Sequence, residues 1–157
     1  MQNRLSIYLL ITVITLIFGP WSSAFSAPYA AVVMDARTGK VYHSRNADTR
    51  LHPASLTKMM TLYIAFQAIE RKEISLDTYV TISANAAAEP ASKLWLKKGQ
   101  RIKLRYLIRA ASIKSANDAA TAIGEAISGS EAAFGKRMTR TARALGICLL
   151  YTSDAAD

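Results

Sequence analysis

The chain has 157 residues, 51% hydrophobic and 20% charged, with a formal net charge of +9. That balance excludes a disordered segment and is enough for one packed domain or part of a larger one. The basic excess suits an anionic partner, but no Gly-rich phosphate loop, Cys/His metal spacing or aromatic-studded basic patch accompanies it. Neither nucleic acid nor a metal or other cofactor is therefore expected.

The chain opens with Arg4, an apolar run over residues 5–18, then Gly19, Pro20 and small residues. This is the pattern of a secretory signal peptide, and the small pair Ala24 and Ser26 puts cleavage after Ser26. Residues 1–26 are thus read as a signal peptide; an uncleaved anchor is the alternative, although the run is short for a span. Either way the rest is expected outside the cytoplasm, in the periplasm or on the outer face of the cytoplasmic membrane.

Residues 29–35 are apolar and β-rich, Ala36-Arg37-Thr38-Gly39 reads as a turn, and residues 40–44 alternate polar and apolar, together a β-hairpin. From Ser55 to Arg71 the apolar residues Met59, Leu62, Tyr63, Phe66 and Ile69 recur at helical steps and predict a well-buried amphipathic helix. A loop-rich stretch follows through Pro90, with one short strand at residues 79–82 and a turn at Lys97-Lys98-Gly99-Gln100. Further helices are predicted at 104–112, 118–127 and 131–145, the last capped by Ser130 with Glu131 in its first turn. Lys136, Arg137, Arg140 and Arg143 stripe that helix as a solvated face. Trp95 and the Met59-Met60 pair read as packing, and His43 and His52 as surface residues. Lys114 lies beside Ser115, where it would add positive potential.

The last ten residues, Cys148-Leu-Leu-Tyr-Thr-Ser-Asp-Ala-Ala-Asp157, match in one frame the codons TGT CTC TTA TAC ACA TCT GAC GCT GCC GAC, a transposase-type sequencing adapter. They are read as a non-native scar, which leaves residues 27–147 as a partial domain without cysteine. One hairpin cannot bury its own face, so partner strands are expected elsewhere than in this sequence.

Pro53-Ala-Ser-Leu-Thr-Lys58 sets Ser55 at the start of a helix with Lys58 three residues on, on the same helix face. A lysine in a partly dry site can lose its proton and act as base, and the serine's backbone N–H can serve a developing oxyanion. Ser-x-x-Lys alone is weak: a serine capping a helix and a surface lysine give the same spacing. Ser115-Ala-Asn117 falls between two predicted helices, where a turn can aim both side chains into a cleft; a second Ser-Ala-Asn stands at residues 83–85.

Pro53-Ala-Ser-Leu-Thr-Lys-Met-Met60, Leu107-Ile108 and Ser115-Ala-Asn-Asp-Ala-Ala120, in that order and spacing, resemble the D-alanyl-D-alanine carboxypeptidases. These are low-molecular-mass penicillin-binding proteins of the serine type (peptidase S11) that share a fold with class A β-lactamases. Asp35-Ala-Arg-Thr-Gly39, Leu96-Lys-Lys-Gly99 and Ala144-Leu-Gly146 fit the same family, so the resemblance covers residues 28–146. It implies an α/β (α+β) DD-peptidase-like transpeptidase fold, here truncated to an N-terminal β-hairpin plus a helical subdomain. It implies that Ser55 attacks the carbonyl between the terminal D-alanines of a peptidoglycan stem peptide and that Lys58 takes its proton. Ser115 would relay a proton to the leaving amine, and Asn117 would hold the substrate amide and the lysine. β-Lactam antibiotics would acylate Ser55, and a C-terminal segment not present here would touch the membrane. The family's third motif, Lys-Thr-Gly or Lys-Ser-Gly, occurs nowhere in the chain, so these residues alone are expected to be inactive. A DD-endopeptidase or β-lactamase of the same fold, or a non-catalytic wall-binding or β-lactam-sensing protein, are the competing readings.

Overall fold

The computed structural model describes residues 29–49, 51–52 and 54–147, so the signal-peptide and adapter readings, with Pro53, lie outside the described residues. The chain divides into two units, Met1–Leu51 and His52–Asp157.

In the first unit β1 (Ala31–Met34) pairs antiparallel with β2 (Val41–Arg45), with Val32 opposite Ser44 and Val33 opposite His43. The turn forms because Asp35 Oδ1 accepts the N–H groups of Arg37 and Thr38 at 2.9 and 2.8 Å, while Gly39 takes φ +71°. Those backbone donors hold the Asp35 carboxyl below the usual aspartate range. Val32, Val33, Met34, Val41 and Tyr42 are all exposed, as a lone two-stranded hairpin requires.

The second unit starts with a 3-10 turn, Ala54–Leu56, running into α1 (Thr57–Glu70). Then come β3 (Tyr79–Thr81), the short α2 (Ala84–Ala88), β4 (Arg101–Lys103), α3 (Leu104–Ile113), α4 (Asn117–Ser128) and α5 (Glu131–Ala144). β3 and β4 form a second antiparallel pair, Val80 opposite Ile102. α4 packs against α1, α2, α3, α5 and β3. Its buried residues Ala119, Ala122, Ile123 and Gly124 are mostly small, so the neighbouring helices approach closely. Ile64, Ile82, Leu104, Leu107 and Ile123 are the largest fully buried apolar side chains. A second cluster joins Met60 and Ile64 of α1 to Phe134, Met138 and Ala142 of α5. Ser130 caps α5 as predicted, its Oγ accepting the Ala133 N–H at 3.1 Å.

A Cβ at Gly124 would stand 2.7 Å from Cδ1 and 2.9 Å from Cγ of the buried Phe134 ring. Gly124→Ala is therefore expected to destabilise the unit by about 1–2 kcal/mol, overpacking outweighing the gain in helix propensity. A lowered urea midpoint with unchanged m would register it.

Four expectations need correction. The buried face of α1 is Met60, Thr61, Ile64, Ala65 and Ala68, not the stripe through Tyr63 and Phe66, which are exposed. α1 is apolar on nearly every side, so periodicity does not choose a face, and the small Ala65 and Ala68 sit where other elements pack closely. Met59 is 68% exposed and Trp95 71% exposed; of the residues read as packing only Met60 is buried. The stretch read as loop through Pro90 contains α2, and β4 forms just after the expected turn, where no element was assigned; both are too short to leave a periodic signal. Arg137 leaves the solvated stripe: half-buried, it pairs with Glu73 at 2.8 Å. No helix among the described residues is long and apolar enough to cross a membrane.

Candidate active site

Ser55 is exposed in the turn before α1 and Lys58 half-buried in the first turn of α1. Ala54, just before the serine, takes φ +46°, a left-handed conformation costly for a residue with a Cβ. The N-cap of α1 is Leu56, with no side-chain capping bond, so the Ser55 hydroxyl does not cap this helix. Burial holds the Lys58 ammonium below the ordinary lysine range, and the Glu89 carboxylate opposes that shift. Glu89 Oε1 accepts the Thr121 hydroxyl from α4 at 2.8 Å.

The second motif sits where α3 gives way to α4. Ser115 takes φ +56° at a helix end where glycine is the usual residue, while the N–H groups of Lys114 and Ala116 both end on the Ala110 carbonyl. Such a conformation costs on the order of 1–2 kcal/mol and persists only where the surroundings enforce it. They do so through residues 89–96, a strap laid along the motif. The Asn117 N–H donates to the Ser92 carbonyl at 2.7 Å, and its Nδ2 to the Pro90 carbonyl at 2.9 Å. Ser92 Oγ in turn donates to the Lys114 carbonyl at 3.1 Å. The fully buried Asp118 carboxylate accepts the N–H groups of Leu94 and Leu96 at 3.0 Å and that of Ala119 at 2.9 Å. With Nδ2 of Asn117 engaged, Oδ1 is left as an acceptor, able to receive a proton donor such as an ammonium or a substrate amide.

Among the described residues no hydrogen bond or ion pair joins Ser55, Lys58, Ser115 and Asn117 directly. What the two motifs share is the strap: Glu89 acts on Lys58, and Pro90 and Ser92 hold Asn117. Glu89 and Ser92 went unnoticed in the sequence, and Asp118 was read only as part of the second motif at a helix start, not as the acceptor that holds the strap. Only Asp118 left a signal, as an acid set in an alanine-rich helix start. The second Ser-Ala-Asn has structural work instead: Ser83 Oγ caps α2 by accepting the Ala86 N–H at 2.9 Å, and Asn85 bonds Glu125 and Glu131. Lys114 is exposed beside the motif, and His43 and His52 are exposed as expected. The described residues hold no group of three or more His, Cys, Asp or Glu that could bind a metal.

A family model described as Peptidase S11, D-alanyl-D-alanine carboxypeptidase, matches residues 22–149. The chain is 35% identical over 158 residues to the D-alanyl-D-alanine carboxypeptidase DacF of Bacillus subtilis, covering 93% of the chain and 40% of that relative. It is 32% identical over 119 residues to a D-alanyl-D-alanine endopeptidase of Pseudomonas aeruginosa, covering 75% and 37%. Among solved structures, the D-alanyl-D-alanine carboxypeptidase DacD of Francisella tularensis superposes with a TM-score of 0.74 at 40% identity, covering 79% of this chain and 30% of that one. Penicillin-binding protein D2 of Listeria monocytogenes in its ampicillin-bound form gives 0.66 at 30% identity, covering 77% and 49%. The chain thus spans 40% or less of the length of the two curated relatives named here.

Proposed function

The chain belongs to the peptidase S11 family, the D-alanyl-D-alanine carboxypeptidases, and from that premise we propose that it serves a serine carboxypeptidase that removes the terminal D-alanine from peptidoglycan stem peptides. Ser55 Oγ attacks the carbonyl carbon between the two D-alanines as neutral Lys58 takes its proton. The C–N bond breaks, Ser115 relays a proton to the leaving amine, and free D-alanine departs. Water then attacks the acyl ester, releasing the shortened peptide and restoring Ser55. Asn117 orients the substrate amide and the lysine. The observation that carries this reading is the pairing of a non-capping Ser55 with a Lys58 pushed toward neutrality by burial.

β-Lactams are the inhibitors this chemistry admits, since they would acylate the same serine; the Listeria protein was solved with ampicillin bound. Residues 1–26 would export the domain to the periplasm or the outer face of the cytoplasmic membrane. A DD-endopeptidase is the second reading, favoured by the Pseudomonas relative and by motifs common to both reactions. A β-lactamase fits less well because Ala116 stands where such enzymes place Asp, and a pure wall-binding module has no use for a nucleophile with a base.

The test is labelled penicillin given to the protein expressed from its full open reading frame, with the adduct mapped by mass spectrometry. One covalent label on Ser55, with D-alanine released from a stem-peptide mimic, is expected. Because two of the three motifs are present, the 157 residues alone are expected to release none. No label on Ser55 would overturn the proposal, and cleavage confined to crosslinked peptides would move it to the endopeptidase.

A further inference from the structure

A groove of about 730 Å³ runs along α5 on residues that neither motif uses, a volume in the range of small-ligand sites. Its charge is ordered. At one end Asn85 Nδ2 donates to both Glu125 Oε1, at 3.2 Å, and Glu131 Oε2, at 2.7 Å. One neutral amide thus gathers two carboxylates from α4 and α5 and leaves their charge uncompensated. Further along α5, Lys136, Arg140 and Arg143 line the groove at steps of four and three, one face of the helix. Among the described residues none of these three has an ion-pair partner, whereas Arg137, one step around, is paired with Glu73 and does not line the groove.

Nine helical steps lead from Glu131 to Arg140, which at 1.5 Å per step is about 13–14 Å. An extended peptide advances about 3.3 Å per residue, so roughly four residues cover that distance. We propose that the groove binds a short extended zwitterionic peptide, its amino group at Glu125 and Glu131 and its carboxylates along Lys136, Arg140 and Arg143. A polyanion is the poorer occupant, because it would have to lie across the carboxylate pair. The inference rests on the groove alone and stands apart from the reading of Ser55.

L-Alanyl-L-alanyl-L-glutamyl-L-glutamate is a suitable probe: it has the required length, an amino group at one end and carboxylates at the other and, without terminal D-alanines, offers Ser55 no bond to cut. Calorimetric titration of the protein expressed from its full open reading frame should show saturable binding. The exposed pair R140E/R143E should weaken it at least tenfold without moving the unfolding transition, and E125Q/E131Q should weaken it comparably. N-acetylation of the probe should also weaken it tenfold or more, while excess benzylpenicillin leaves it unchanged. The proposal fails if no saturable binding is seen, or if R140E/R143E binds as the parent does. It fails equally if the acetylated probe or poly-L-glutamate binds as tightly as the free peptide, which would make the groove an anion track. Competition by benzylpenicillin would assign the binding to Ser55 and overturn the proposal as well.

Discussion

Ser55→Ala is expected to abolish covalent labelling by penicillin, and Lys58→Ala to slow it by about a hundred- to ten-thousand-fold, the usual worth of a positioned base. The two losses have different origins: without Ser55 no bond can form, whereas without Lys58 the hydroxyl remains but keeps its proton. The pH profile separates Lys58 as a base from Lys58 as packing. Only the neutral amine accepts a proton, so the labelling rate should rise with pH through the Lys58 pKa. Burial lowers that pKa, so the rise should come below the ordinary lysine range. Glu89 favours the charged ammonium and so raises the pKa. Glu89→Gln should therefore move the rise further toward acid, with little change in the plateau. Stopped-flow acylation across a pH series reads all three variants, and a flat profile in the parent would remove Lys58 from the role of base.

Asp118→Ala should be the most destabilising single change in the second unit, at about 3–5 kcal/mol. It leaves the N–H groups of Leu94 and Leu96 without their acceptor, and a buried donor left unsatisfied costs about 1–3 kcal/mol. Loss of a carboxylate from the first turn of α4, where the helix dipole favours negative charge, adds to this. Asp118→Asn keeps the shape and one acceptor oxygen and should recover part of the loss. Urea titration gives both values, and an Ala variant within 1 kcal/mol of the parent would mean that the strap is held by other bonds. Because the same strap carries Pro90 and Ser92 to Asn117, the Asn variant should also label more slowly with penicillin while still folded.

The helices around the site were legible because caps and apolar spacing are local. The predicted spans 104–112, 118–127 and 131–145 correspond to Leu104–Ile113, Asn117–Ser128 and Glu131–Ala144. The orientation of α1 was not legible: with apolar residues on nearly every side, only its partners decide that Ile64 is buried and Phe66 is not. The four site residues could be named from motif order, yet what holds them could not. The bonds of Glu89, Ser92 and Asp118 reach across 22 to 32 residues, several of them to backbone atoms that carry no side-chain signature. The repeated Ser-Ala-Asn makes the same point, since an identical tripeptide caps a helix at Ser83 and turns between helices at Ser115.

The strap also imposes an order of assembly. α1, with Ser55 at its entrance, closes through bonds four residues apart and can form early. Asn117 and Asp118 reach their places only when a loop of 24 to 27 residues has closed on the Pro90 carbonyl and the Leu94 amide, contacts that carry a larger entropic cost. A chain emerging from its N-terminus therefore acquires Ser55 and Lys58 before the strap that holds Asn117. Completion of the candidate site is tied to the docking of one eight-residue segment rather than to the formation of any helix.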